Sequence, residues 1–451
     1  MTKPEIATRL QKALSGDLNP RTFTVQEEYA IRRHCRDATI RSAARIRRLH
    51  LLGHSRNARK AMRDHLNRNE VMLNALFCAS RKQWPTRIEH DPCERERRRL
   101  RRLQAVFECF PKAQALSAPA RGRVTLLQKK NNRGTRPVID FHWLDRARQV
   151  ALKSALEPFA DLQDGQFMLA RDPARRGPAA VREALLHALN ERGSGCLFVH
   201  FDVRDYYATI SHHWLESNLG LDPSIVRKQV HLSGMLLTGS GETATRHGHH
   251  DALKEGGQRG IPQGSALSAH VAEVVMANVL KSAAALEGLP CFTWSDNLGV
   301  FVPRDREEQV ARLVEDAFAR HGAGPFKLTR TVHEVQKGFN FLGVQYRYDP
   351  ADGAVAFIDK QAVDSWFAAV TQNCLHGGLT DLAMLERAII AKRAQWGWWA
   401  CWPAIERRLW RVAASMRASL SIGEGGHAQD QLRVRPPALA SDRAPSHRSG
   451  R

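Results

Sequence analysis

The sequence predicts an α+β chain in which helical segments at both ends enclose a middle built from short strands. Three observations carry this reading. In the first hundred residues apolar side chains recur at helical spacing, through Ile31, Ile40, Ile46 and Leu49 and again from Met62 to Phe77. In the middle, β-type runs at 124–127, 196–201 and 338–344 are set off by turn residues. The third is the stretch 290–303, where Phe292, Trp294, Leu298, Val300 and Val302 flank Ser295-Asp296-Asn297, a strand, a polar turn and a strand that lift a carboxylate to the tip. A plain hairpin could use Asp and Asn for turn geometry alone.

At 451 residues and 43% hydrophobic composition, the chain has room for two or three domains with real cores. Its 68 Lys and Arg outweigh 46 acidic residues, a net charge of +22, which points to a polyanionic partner because each phosphate contact releases counterions. No apolar run reaches the roughly 18 residues a bilayer demands, and the first ten residues lack an apolar signal core. No membrane partner and a cytoplasmic location are therefore expected. The eight cysteines contain no C-x-x-C pair, which argues against a zinc module or a disulfide framework.

Thr24-Val25-Gln26-Glu27 is a capping box, and the helix it opens should run towards Leu52 before Gly53-His54-Ser55 breaks it; a second helical segment follows through Phe77. Arg95, Arg97, Arg98, Arg99, Arg101 and Arg102 form the densest charge run. It reads either as a solvated helix face or as an RNA-contacting one, and without aromatics between the arginines the contact would be to phosphate. From Val124 two β-type runs flank a loop with Lys129, Lys130, Arg133 and Arg136, a hairpin whose positive tip suits a triphosphate or is an ordinary surface turn. A helix from Leu144 should end at Pro158, and another is expected at 178–189.

The apolar strand 196–201, of the kind buried on both faces, delivers Asp202 at its end. A carboxylate there is costly unless paired or metal-bound, so Asp202 reads as a metal ligand or a helix N-cap. His247, His249 and His250 beside Asp251 match no zinc spacing and read as a basic exposed loop. Residues 260–268 form a tight turn into a helix, where Gln263 and free backbone N–H groups could meet a phosphate or base. A helix follows at 310–321. The region 359–420 is helical and carries Trp366, Trp396, Trp398, Trp399, Trp402 and Trp410, mostly as core; beyond 423 the composition is that of a disordered tail.

In this order the segments resemble the reverse transcriptases, in particular the bacterial enzymes of the group II intron, retron and phage-defence types. L-D-R-A-R-Q-V-A-L-K-S-A-L-E-P, F-D-V-R-D-Y-Y-A-T-I, G-I-P-Q-G-S-A-L-S, W-S-D-N and G-F-N-F-L-G carry the resemblance across about 124–344. It implies a right-hand polymerase with fingers and an antiparallel palm sheet at 116–355 and a helical thumb at 356–421. A helical basic region at 1–115 precedes these parts, and a disordered basic tail occupies 422–451. It also implies an RNA-directed DNA polymerase that uses an RNA template, a DNA primer or product and dNTPs, with a dedicated noncoding RNA in phage defence as one setting. Oligomeric state stays open.

By the same resemblance Asp202 and Asp296, with the carbonyl of Val203, would hold Mg²⁺, or Mn²⁺ in its place, and Asn297 would complete the catalytic set. Lys129, Arg136, Tyr207, Gln263 and Gly264 would bind the nucleotide, and Phe341, Leu342 and Gly343 would form the primer grip. Two departures stand out. Trp294 and Asn297 replace the family's tyrosine and second aspartate, and near Thr329 to Thr331 an expected lysine has only Lys327 and Arg330 as candidates. Because Asn297 can still offer a carbonyl oxygen, activity with an altered metal preference is expected. A template-independent polymerase, an RNA-binding scaffold and a maturase are the alternatives.

Overall fold

The computed structural model describes residues 2–83, 91–128, 134–170, 172–239, 257–372, 379–399 and 401–422. It is α+β, and its contacts divide the chain into two units, Met1–Ala356 and Phe357–Arg451. The expected basic loop tip with Lys129, the histidine loop and the tail beyond Ile422 lie outside the described residues.

The first unit opens with helices α1 (Lys3–Ser15), α2 (Val25–Leu51), α3 (Ser55–Leu66), α4 (Asn69–Gln83) and α5 (Pro92–Ala113). The capping box closes at both ends: Thr24 Oγ1 accepts from Glu27 N at 3.2 Å, and Glu27 Oε2 accepts from Thr24 N at 2.8 Å. The segment expected as one helix after Ser55 is two, capped apart at Asn67. The two halves have different surroundings. α3 buries only Ala58, Ala61, Met62 and His65, whereas α4 is buried almost all round, from Val71 to Ala79, so one straight helix could not serve both.

α5 turns part of the arginine run inward. Buried Glu28 of α2 accepts from Arg102 at 2.5 Å, Arg99 at 3.2 Å and Arg32 at 3.3 Å, while Glu94 and Glu96 neutralise Arg97, Arg98 and Arg99 along the helix. Two of the six arginines in the densest charge run, Arg99 and Arg102, therefore hold helices together. α6 (Trp143–Leu156) packs on this bundle with ten buried residues, among them the pair Asp145 and Arg148 at 2.7 Å.

Two sheets follow. Strands β1 (Arg121–Gln128) and β2 (Thr135–Phe141) form the expected hairpin, Gln128 opposite Thr135. β3 (Cys196–Val203) is central to a fully antiparallel second sheet, order β5-β6-β3-β7, with β5 (Cys291–Trp294), β6 (Asn297–Pro303) and β7 (Leu328–Glu334). β4 (Leu236–Gly239) instead joins β1 in parallel. The stretch 338–344 is not a single strand. β8 (Phe339–Phe341) turns at Leu342 (φ 54°) and Gly343 (φ 79°) into β9 (Val344–Asp349), and Asn340 Oδ1 accepts from Gly343 N at 3.2 Å. β10 (Gly353–Phe357) completes that three-stranded sheet.

β3 is buried on both faces, as its apolar run implies. Val199, Phe201 and Val203 meet Leu298, Val300 and Val302 in a core shared with helices Ser268–Ser282 and Glu307–Arg320. Phe198 and Phe301 pack on the other side with Phe339, Phe341 and α7 (Pro178–Arg192). The outer edge of β5 is covered: Thr293 N donates to Gly165 O at 2.7 Å. A Cβ on Gly165 would lie 2.2 Å from Cys291 O, so only glycine permits this approach.

The second unit holds helices Lys360–Gln372, Leu379–Trp396 and Trp402–Ile422. Trp366, Trp396 and Trp402 form its aromatic core, with ring centroids 5.4–6.3 Å apart. Glu406 anchors it by accepting from Trp402 Nε1 at 2.8 Å and Trp410 Nε1 at 3.2 Å. No helix among the described residues is long and apolar enough to cross a membrane.

Glu28→Gln should lower the unfolding free energy by about 3 kcal/mol in urea titrations, because it strips the counter-charge from buried Arg102. Arg97→Gln, which removes an exposed pair to Glu94, should cost under about 1 kcal/mol.

Candidate active site

Strand register creates the site. β3 and β6 pair so that Asp202 stands opposite Asn297, and Val203 N donates to Asp296 O at 2.9 Å, tying the hairpin tip to the end of β3. The tip is a two-residue turn with Ser295 at φ 59°. Asp202 is exposed and Asp296 half-buried. Burial lifts the Asp296 carboxyl above its usual range, the charge of Asp202 adds to that, and Arg136 opposes it. Two carboxylates thus share a small space near one cation.

They face a cleft of about 530 Å³, which brings together Asp202, Val203, Asp296, Arg136, Tyr207, Gln263 and Gly264. Five elements supply these residues, two of them being the end of β3 with Asp202 and Val203 and the β5–β6 tip with Asp296. Arg136 comes from β2, Tyr207 from the short helix Tyr206–Thr209 and Gln263 with Gly264 from the turn before helix Ser268–Ser282. That turn is pinned on two sides, by Ile139 N to Gln263 O at 2.8 Å and Ile261 N to Tyr207 O at 2.8 Å. Gly264 sits at φ 102°, where a Cβ would meet Ile139 O at 2.4 Å.

Two of the amides behind the turn are engaged within the chain. Ala266 N donates to Gln149 Oε1 of α6 at 3.1 Å and Leu267 N to Ser265 Oγ at 3.0 Å. Gln263 remains in the cleft, half-buried. Tyr207 is also half-buried; burial raises its phenol while a hydrogen bond with Ser295 lowers it.

Asn297 lies behind the cleft wall. A carboxylate only accepts, so the 3.0 Å contact from Asn297 Nδ2 to Asp296 Oδ1 fixes the amide with its NH₂ towards Asp296. The carbonyl Oδ1 then faces His200 Nε2 at 2.9 Å, which must carry the proton. Asn297 is a link in a chain from His200 to Asp296, with its carbonyl oxygen already engaged. Phe341 stacks edge-on against His200 at 5.5 Å from the core side, and Leu342 and Gly343 form the β8–β9 turn; none of the three lines the cleft. Arg330 is bound to Glu308 at 3.1 Å and lies near Glu307 and Glu315.

Glu273, within helix Ser268–Ser282, escaped the sequence reading. It is fully buried, and its Oε1 accepts from Ser295 N at 3.1 Å while Oε2 accepts from Gln166 Nε2 at 3.0 Å. It therefore holds the tip turn from beneath. Its only sequence signal is a carboxylate alone in the apolar run V-A-E-V-V-M. Burial pushes Glu273 to about 7 from 4.5.

A carboxyl raised by folding favours the native state when protonated, so stability from this group is full below pH 4.5 and lost as pH rises through about 7. Glu273→Gln should flatten the stability curve across that window. Its overall cost should be about 1 kcal/mol, since with the amide oxygen kept on Ser295 N the new NH₂ cannot accept from Gln166. Parallel slopes in denaturant titrations of the two proteins from pH 5 to 8 would remove Glu273 as the titrating group.

The reverse transcriptase (RNA-dependent DNA polymerase) family model matches residues 127–346, a span that begins in β1, ends in β9 and contains every cleft residue named above. No curated protein matches the chain. Residues 127–346 are a reverse transcriptase domain, and the chain is accordingly a nucleotidyltransferase, an RNA-directed DNA polymerase.

Proposed function

We propose that the cleft between Asp202 and Asp296 is where a DNA 3′ end is extended on an RNA template. The observation that carries this is the like-charged pair at the meeting of β3 and the β5–β6 turn, facing a cleft with Arg136, Tyr207 and Gln263. In this reading 116–355 is fingers and palm, 356–421 thumb and 1–115 an N-terminal extension.

The donor set suits Mg²⁺, with Mn²⁺ as its substitute: two carboxylates whose mutual repulsion a divalent cation relieves, with substrate phosphates and water completing the oxygen shell. Bound there, a metal pair would lower the pKa of the primer hydroxyl and neutralise the triphosphate. Asp202 and Asp296 would hold it, with the carbonyl of Val203. Arg136 binds phosphate oxygens, and Gln263 and Gly264 form the floor under the incoming base. Tyr207 lies beneath the sugar, held by Ser295, where its ring disfavours a 2′-hydroxyl. Asn297 orients Asp296 rather than joining the ligand shell.

Asp202→Ala and Asp296→Ala should each reduce Mg²⁺-dependent dNTP incorporation on an annealed RNA–DNA primer–template by more than about a thousandfold, with RNA binding retained. Incorporation by either variant at the wild-type rate would sink the proposal. Asn297→Ala should slow incorporation about ten- to a hundredfold, equivalent to a charge-assisted hydrogen bond of about 1.5–3 kcal/mol. The metal concentration for half-maximal rate should rise with it. Sequencing nucleic acid copurified with wild type and Asp296→Ala tests the narrower setting of a dedicated noncoding RNA in phage defence: one RNA in both, its complementary DNA only in wild type.

A further inference from the structure

A block of exposed positive charge outside the polymerase cleft lies on the helical hairpin α2–α3. Between Arg41 and Arg68 the chain carries nine Lys or Arg and one acidic residue, Asp64. Of those nine, Arg47 alone has an ion pair among the described residues, to Asp161 at 2.8 Å. The other eight are exposed. Arg41, Arg45 and Arg48 follow helical spacing along α2, and Arg56, Arg59 and Arg63 do so along α3, so each set forms a stripe on its own helix. α5 is different: there Glu28, Glu94 and Glu96 take up four of the arginines. Unpaired guanidinium groups so closely spaced repel one another, a cost that a folded protein does not need for solubility.

Arg41, Arg45 and Arg68 converge on a cleft of about 280 Å³ that Ser42, Asp64 and Glu70 also line. Ser42 is held from the inside, its Oγ 2.7 Å from Nδ1 of buried His65, whose Nε2 lies 2.9 Å from Ser154 of α6. One wall of the cleft is thus tied to the helical core. No Phe, Tyr or Trp occurs between residues 41 and 68. The large aromatic platforms that stack single-stranded bases are therefore missing there, and the cations favour phosphate contact that follows backbone shape.

We propose that the α2–α3 hairpin is a docking surface for the phosphate backbone of a folded RNA, separate from the polymerase cleft. RNA is the polyanion chosen because the same chain carries an RNA-directed polymerase domain, and in that the proposal rests on the reading above. The surface holds a structured RNA on the enzyme without reading its sequence, while the cleft copies a single strand.

The test is fluorescence anisotropy of full-length protein with a 20-base-pair RNA hairpin over a range of salt. It compares wild type, the triple variant Arg41→Gln/Arg45→Gln/Arg68→Gln and the control Arg97→Gln/Arg98→Gln on α5. The triple variant should bind at least tenfold more weakly, with the slope of log K against log salt reduced by about 2–3, the loss of about three phosphate contacts. The control should change less than about twofold. Incorporation on a short saturating primer–template should match wild type in both, which also reports intact folding. Equal losses in triple variant and control would overturn the proposal in favour of diffuse attraction, and so would unchanged RNA binding by the triple variant. Exposed Leu51 and Leu52 at the hairpin tip supply one more arm: if vesicles with anionic headgroups displace the RNA and lose affinity with the same variant, a membrane surface is the partner and the proposal falls. Loss of incorporation in wild type with RNA docking intact would instead overturn the polymerase reading and leave this one standing.

Discussion

The register between β3 and β6 is the constraint on which the site depends. With Asp202 opposite Asn297 and Val203 N bonded to Asp296 O, both carboxylates reach the same end of the sheet. A slip of one residue would turn Asp202 to the other face and swap Phe198 and Val199 between two cores. Those cores resist the slip, since each face of β3 is filled by different helices and strands. Packing on both sides of one strand thus sets the positions of two charges at its end.

Holding like charges together requires support from beneath and behind. Glu273 and Gln166 fasten the left-handed residue Ser295 from inside the helix layer, and Asn297, backed by His200, directs Asp296 from the strand. Asn297 changes meaning in this light. An aspartate there would add a third negative charge beside the pair, whereas the amide donates a hydrogen bond to Asp296 and adds none. The turn at Gly264 is bound equally firmly, bonded to β2 on one side and to the Tyr207 segment on the other. Backbone hydrogen bonds therefore couple the elements that line the cleft, and the side-chain bond between Tyr207 and Ser295 adds a link between two of them.

Charge shows how far composition can mislead about location. The net charge of +22 announces a polyanionic partner, yet two arginines of the densest run serve structure, since Glu28 draws Arg99 and Arg102 into the helical bundle. The more diffuse cations of α2 and α3 remain open to solvent. Linear density of charge reports neither pairing nor burial, because the neutralising glutamate lies about seventy positions away in sequence.

The sequence by itself determined the elements and the chemistry-bearing ends of strands. Capping at Thr24, the β1–β2 hairpin, the two-faced strand ending at Asp202 and the tip at Asp296 follow from local patterns of period two, period 3.6 and turn residues. The family motifs then ordered them. Only tertiary structure decided the roles of residues whose partners are remote: Glu273 beneath Ser295, Gln149 capping the helix behind Gly264, Asn297 turned towards Asp296, and Glu28 among arginines. It also broke the helix at Asn67 and folded 338–344 into a hairpin. The physical reason is common to all of these. Periodicity reports which face of an element is buried, while hydrogen-bond and charge compensation depend on which distant group that face meets.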